Sequence, residues 1–269
     1  MQPTTKRSIL QAALILALAL AAALAGDHWA ERRAPRLRAS KSLRPKPLNE
    51  ISGLLYLEAS KTLLTVSDDG TIAEVSVAGE VLRERRHKGH DFEDVTQSTD
   101  GSIIVIEEAK GSIQRVDLGD FSLAPIATVA HPAGHDAPKN RGFEGILATA
   151  DGNFVLACEM HPSSLVFVDR TGRELRIVAT GAPSLTAVLS AGPELFMVLS
   201  RTRGIGFLDH DGRMRGDWIA LNDDRVEGAA FVPGRGLILA VDEVPARLLV
   251  FKDIRSMDDL IALADARKR

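Results

Sequence analysis

Cysteine is almost missing from this chain: a single residue, Cys158, in 269. A lone thiol cannot close an internal disulfide, and the same count excludes a disulfide-stapled scaffold or a zinc ribbon. Aromatic residues make up only 4%, and Lys+Arg 33 nearly balance Asp+Glu 36, leaving a net charge of -3. Binding nucleic acid needs a basic surface and stacking platforms, so no nucleic-acid partner is expected. Neither a G-x-S-x-G elbow nor an H-E-x-x-H pair occurs, and nucleophilic catalysis has no support from motifs. What the chain does have is an ordinary apolar share, 45%, enough for a packed core in one large domain or two small ones.

The first residues are a targeting segment. Lys6 and Arg7 precede residues 9–25, which are uncharged, rich in Ala and Leu, and apolar apart from Gln11. Such a stretch falls between the core of a cleavable signal and a spanning helix. Ala23-Leu24-Ala25 before Gly26 would suit cleavage, and no Cys follows to carry a lipid. Residues 1–26 are therefore expected to be a signal peptide or a membrane anchor. The remainder then lies in the periplasm, or on the periplasmic side of the inner membrane with the membrane as partner. Residues 27–46, with many Arg, Lys and Pro, read as a linker that includes one extended piece at 36–43.

The rest of the chain repeats. Glu50-Ile51-Ser52-Gly53, Asp91-Phe92-Glu93-Asp94, Gly142-Phe143-Glu144-Gly145, Ser184-Leu185-Thr186-Ala187 and Arg225-Val226-Glu227-Gly228 align, with their third members at 52, 93, 144, 186 and 227. After each comes a short apolar run, a turn, a stronger apolar run, another turn and a third run. The stronger runs, residues 62–66, 103–106, 154–157, 195–199 and 237–241, are Leu, Ile and Val-rich and too short for helices. They read as buried strands. Most repeats add a fourth run: 81–85, 126–129, 175–178 and 218–221. Four antiparallel strands every 40 to 50 residues or so is the unit of a β-propeller blade. The expected fold is all-β, a five-bladed β-propeller over 47–253, followed at 254–269 by a short helix and tail that begin at the cap Ser256-Met257-Asp258-Asp259. The fifth repeat shows three strands only, and 36–43 is placed to supply the missing edge.

Acidic residues follow the repeat. The innermost strand of a blade lines the central channel, so Ser52, Glu93, Glu144, Thr186 and Glu227 would ring one mouth. The antiparallel second strand returns to that face. It ends in Ser67-Asp68-Asp69, Glu107-Glu108, Glu159, Ser200-Arg201 and Asp242-Glu243. Carboxylates converging on a narrow mouth repel one another, and a hard cation removes the conflict. Oxygen ligands without Cys or His at repeat positions suit calcium, then magnesium, and zinc poorly. Glu93, Glu144 and Glu227 are the first candidate ligands, with Glu107, Glu159 and Asp242 next. The bland alternative is that these residues bond backbone amides at strand starts. His90, His131, His135 and His161 lie on loops, where solvated histidine is the ordinary case. Cys158, inside an apolar run, reads as core.

The motifs Glu50-Ile51-Ser52-Gly53-Leu54 with Thr65-Val66-Ser67-Asp68-Asp69, and Asp91-Phe92-Glu93-Asp94-Val95 with Ile106-Glu107-Glu108, resemble the SdiA-regulated protein family, the YjiK-like five-bladed propellers of bacteria, over roughly residues 47 to 253. The resemblance implies an amino-terminally anchored, periplasm-facing propeller that binds calcium, distantly related to NHL-repeat proteins and without an established activity. The insertion at 130–142 and the non-acidic fourth repeat depart from the pattern. Asn140-Arg141-Gly142-Phe143-Glu144-Gly145 also looks like the motif of phytase-like esterase propellers. Two functions stay open: a calcium-binding interaction module meeting an unknown protein or small molecule on its face, and a calcium-dependent phosphoesterase, esterase or lactonase.

Overall fold

Each repeat folds into one antiparallel sheet, and the burial of its strands explains the sequence pattern. The computed structural model describes residues 34–108, 110–132, 142–159, 163–223 and 225–266. The chain divides after Pro35, and the elements below belong to the unit from Arg36 onward. A short outer strand, β1 (Lys41–Leu43), comes first. Blade one is β2 (Ile51–Leu57), β3 (Thr62–Ser67), β4 (Thr71–Ser76) and β5 (Val81–Arg86). Blade two is β6 (Phe92–Gln97), β7 (Ile103–Glu107), β8 (Ser112–Val116) and β9 (Leu123–Thr128). Blade three is β10 (Phe143–Ala148), β11 (Phe154–Cys158), β12 (Ser164–Val168) and β13 (Glu174–Ala179). In every blade the second strand is covered on both faces, as β3 is along its whole length. Such strands read as unbroken apolar runs rather than alternation. The outer strands β5 and β13 are exposed almost throughout; β5 carries the charged run Arg83-Glu84-Arg85-Arg86, whereas β13 leaves Leu175 and Ile177 in solvent.

Blade four has three strands, β14 (Ala187–Ser190), β15 (Leu195–Ser200) and β16 (Gly204–Asp209). The expected fourth run, 218–221, does not form a strand and keeps only isolated bridges, Ile219 to Ile205 among them. The chain between Met214 and Ile219 is diverted to the C-terminal helix, where Asp217 N–H donates to Ala264 O at 3.0 Å. That helix, α1 (Met257–Asp265), has the expected capping box of Ser256 and Asp259. It buries Leu260 and Ala264 among the apolar side chains of blades four and five.

Blade five consists of β17 (Val226–Val232), β18 (Gly236–Val241), β19 (Arg247–Phe251) and, as its outer strand, β1. Lys41, Ser42 and Leu43 pair with Val250, Leu249 and Leu248, so an N-terminal strand completes the last sheet and leaves β19 no open edge. The ordered pairing is shorter than the 36–43 segment, with Arg36 bridging Ala220 of blade four instead. The inner strands β2, β6, β10, β14 and β17 touch in succession around the ring. Glycine makes that approach possible. A Cβ on Gly53 would lie 2.7 Å from Asp94 Cα, and one on Gly228 2.9 Å from Ser52 O. Among the described residues no helix is long and apolar enough to cross a membrane. The candidate targeting segment, residues 1–26, lies outside them.

Candidate functional site

The ring residue of each repeat is aimed by a backbone irregularity. Pairing of the first two strands shifts register between Ile51 and Gly53, Phe92 and Asp94, Phe143 and Gly145, and Val226 and Gly228. Each shift is a β-bulge, and the residue it leaves without a ladder partner is Ser52, Glu93, Glu144 or Glu227. Bulges of this kind redirect a side chain without breaking the sheet. Thr186 holds the corresponding place ahead of β14. All five are buried.

A second ring comes from the first residue beyond each second strand. The backbone N–H of Asp68, Glu108, Glu159 and Asp242 donates to the carbonyl of Glu50, Asp91, Gly142 and Arg225 respectively, at 3.3, 3.1, 3.4 and 2.8 Å. One hydrogen bond thus fixes the same position in four blades. In the fourth blade that position is Arg201. The two rings together bring three acids from the bulges and four from the strand ends to one mouth, with one guanidinium among them.

This geometry separates the sequence candidates. Glu93, Glu144, Glu227, Glu159 and Asp242 lie at the mouth, close enough to perturb one another. Glu107 does not share their position. It is the last residue of β7, paired with Phe92, and side chains alternate along a strand, so it points into the seam between blades as Cys158 and Val241 do in theirs. There Lys110, Gln114 Nε2 (3.2 Å) and His90 Nδ1 (3.3 Å) engage it. Glu108 occupies the mouth instead, its Oε1 accepting from Gly142 N–H at 3.0 Å. Asp68, Asp91, Glu108 and Arg201 were absent from the candidate ligands. Their signal was the hairpin register, which repeat spacing alone does not supply.

The mouth has two unlike halves. On the side of blades three to five, Arg201 Nε donates to Glu227 Oε1 at 2.8 Å, and its terminal nitrogens lie 3.5 Å from Glu144 and 3.6 Å from Glu159. On the side of blades one and two, one carboxylate oxygen each from Asp68, Asp91 and Glu93 lie within 4.8 Å of one another. Ser52 Oγ donates to Asp68. Among the described residues no Lys, Arg or His forms an ion pair with these three, although Lys110 is near enough to Asp91 to favour its ionised form.

The electrostatics follow. Burial first, then Asp242, Asp91 and Glu50, push Asp68 up to about 7 against the opposing bond from Ser52. Burial, with Glu108 and Glu107, raises Asp91 to about 6. Burial, Glu144 and Asp68 hold Glu93 well above the carboxylate range. Glu144 also rises, through burial and Glu159, although Arg201 opposes it. Glu227 reaches about 8; its contact with Arg201 alone would lower it, but loss of solvent outweighs the pairing. Asp94, one residue past the bulge, belongs to the scaffold. Fully buried, it accepts N–H groups from Ile146 at 2.9 Å and Val95 at 2.8 Å and ties blade two to blade three.

His90 stacks on Phe92, and His131 Nε2 lies 3.3 Å from the buried Cys158 Sγ, so both sit in blade walls. His135, His161, Asn140 and Arg141 lie outside the described residues.

No curated protein matches the chain. Among solved structures, the glutaminyl cyclase of Myxococcus xanthus is similar at TM-score 0.57 and 11% identity, over 79% of this chain and 94% of that one. At that identity the likeness is one of fold. Virginiamycin B lyase from Staphylococcus aureus follows at TM-score 0.46 and 14% identity, over 77% of this chain and 68% of that one. A protein of unknown function from Bacteroides caccae has TM-score 0.45 and 17% identity, with 67% and 65% covered. Residues 37–191 match the model of the SdiA-regulated family.

Proposed function

The chain belongs to the SdiA-regulated family, and we propose that it is an exported or membrane-anchored propeller that binds one divalent cation, calcium, at the acidic mouth and serves as a binding module for a partner met on that face. The observation that carries this reading is the convergence of Asp68, Asp91 and Glu93, with no ion pair to a described residue and only the more distant Lys110 favouring the ionised form of Asp91. The donors fit the ion. They are hard carboxylate oxygens beside the Ser52 hydroxyl, with no sulfur or imidazole in the cluster, which favours calcium or magnesium over zinc. Calcium takes 6 to 8 oxygens at about 2.3 to 2.6 Å in adaptable geometry, so waters, carbonyls or a partner's oxygen would complete its shell. Of the sequence candidates, Glu93 stays at the ion. Glu144, Glu159 and Glu227 hold Arg201, and Asp242 flanks Asp68. Bound, the ion would supply positive charge that keeps these acids ionised and a site for an oxygen ligand.

The hydrolytic alternative draws support from Asp68 and Asp91, which titrate at about 7 and 6, the range of a general acid or base. The proposed cation would return both to the ionised form and remove that role. Binding is therefore the preferred reading.

Thermal melts near pH 7.5 test the cation. At a hundredfold excess over its dissociation constant, a ligand specific to the folded state adds about 2.7 kcal/mol. For a unit of this size that is a rise of roughly 5 to 11 °C. Calcium should give it, magnesium less and zinc least; a melt indifferent to all three would end the reading. Export rests on Lys6, Arg7 and residues 9–25. A reporter fused after Arg269 that needs export for activity should be active, and a reporter active only in the cytoplasm should not; the reverse pattern would exclude export.

A further inference from the structure

One half of the mouth already contains a cation, and that cation is part of the chain. At the place where four blades put Asp68, Glu108, Glu159 and Asp242, blade four puts Arg201. Its guanidinium reaches Glu144 and Glu159 of blade three and Glu227 of blade five, at 3.5, 3.6 and 2.8 Å. The side chain is 39% exposed while Glu144 and Glu227 are almost wholly covered, so its charge enters the mouth from the solvent side. Three carboxylates from two blades around one positive centre is the arrangement a metal ion would make.

We propose that Arg201 is a resident substitute for a second metal ion: its single charge offsets part of that of Glu144, Glu159 and Glu227, bridges the blades on either side of its own, and confines metal binding to the half built by Asp68, Asp91 and Glu93. The inference rests on the cation-binding reading above for its account of the other half. Its own support is the guanidinium observed at the second position. Arginine stays protonated at any physiological pH, so this half keeps one positive charge whatever the metal supply. An ion on the other half depends on supply. A propeller with one permanent and one exchangeable cation can stay closed around blades three to five while blades one and two respond to calcium.

The experiment counts calcium ions per chain, by equilibrium dialysis of metal-stripped full-length protein near pH 7.5, for the parent, Arg201→Gln and Arg201→Lys. Arg201→Gln should bind one ion more than the parent, and the added ion should be lost in the double variant Arg201→Gln/Glu144→Gln. Arg201→Lys keeps the charge and should bind the parent's number. If Arg201→Gln unfolds in chelator, calcium should restore its melting transition. A folded Arg201→Gln with the parent's count overturns the inference, and so does a variant that calcium cannot rescue. A parent count of zero would instead remove the proposed function, while an ion gained by Arg201→Gln would still support the role of Arg201.

Discussion

Stripped of divalent ions, the protein should be most stable near pH 4 and should lose stability steadily as the pH rises to 8. Asp91, Asp68 and Glu227 sit at about 6, 7 and 8 in the fold, and Glu93 and Glu144 are also raised, in each case through burial first. In the unfolded chain the same groups titrate near 4. Between those values the folded state holds more protons than the unfolded one, so stability falls as pH increases. One pH unit of difference for one group corresponds to about 1.4 kcal/mol, and several groups act together, so the loss should amount to several kcal/mol. Below pH 4 both states are protonated and this contribution is constant. There the opposite class takes over. Asp100, held at about 2 by Ser98 and Ser102, and Asp169, held low by Thr171, favour the ionised fold, and that weak support fades as they protonate. A maximum near pH 4 results. Melts from pH 2.5 to 8.5 in chelator, repeated with excess calcium, check this. Calcium should flatten the alkaline side. Chelated protein that grows more stable toward pH 8 would mean that the mouth is already neutralised from within.

The parts of this fold legible in the sequence are those that burial imposes repeatedly. Five second strands covered on both faces had to be Leu, Ile and Val-rich, and their spacing disclosed five blades. The motif glycines were visible as well, and their reason is the approach of neighbouring inner strands, seen at Gly53 and Gly228. Less legible was anything decided by one residue of register. Glu107 and Glu108 are adjacent and chemically alike, yet alternation sends the first into the seam and the second to the mouth. The three acids of Asp91-Phe92-Glu93-Asp94 divide in the same way: Asp91 and Glu93 face the mouth, whereas Asp94 fastens the next blade. Arg201 looked like a gap in the acidic pattern. Only the distances from it to Glu144, Glu159 and Glu227 show that it is the cation set among them. The missing outer strand of blade four was hidden for another reason, because the helix that diverts its chain is distant in sequence.

Glu93→Gln should have the second large effect, and it acts in two directions. Glu93 comes from a bulge and is nearly fully buried, with no hydrogen bond or ion pair to a described residue, so the amide fits the same space without breaking a contact. In chelator near pH 8 the variant should melt higher than the parent, since it removes a carboxylate that its neighbours disfavour. Its calcium affinity should drop by tenfold or more, about 1.4 kcal/mol or above. Few substitutions would both stabilise the empty fold and weaken its ligand. Asp68→Asn should behave likewise, whereas Glu107→Gln, placed in the seam, should leave calcium affinity close to that of the parent. The measurement that bears most directly on the acidic mouth is calorimetric titration of calcium into metal-stripped parent and Glu93→Gln near pH 7.5. The expected result is saturable binding of one ion per chain in the parent and binding at least tenfold weaker in the variant. No binding by the parent, or equal binding by both, would contradict the assignment of a cation to Asp68, Asp91 and Glu93.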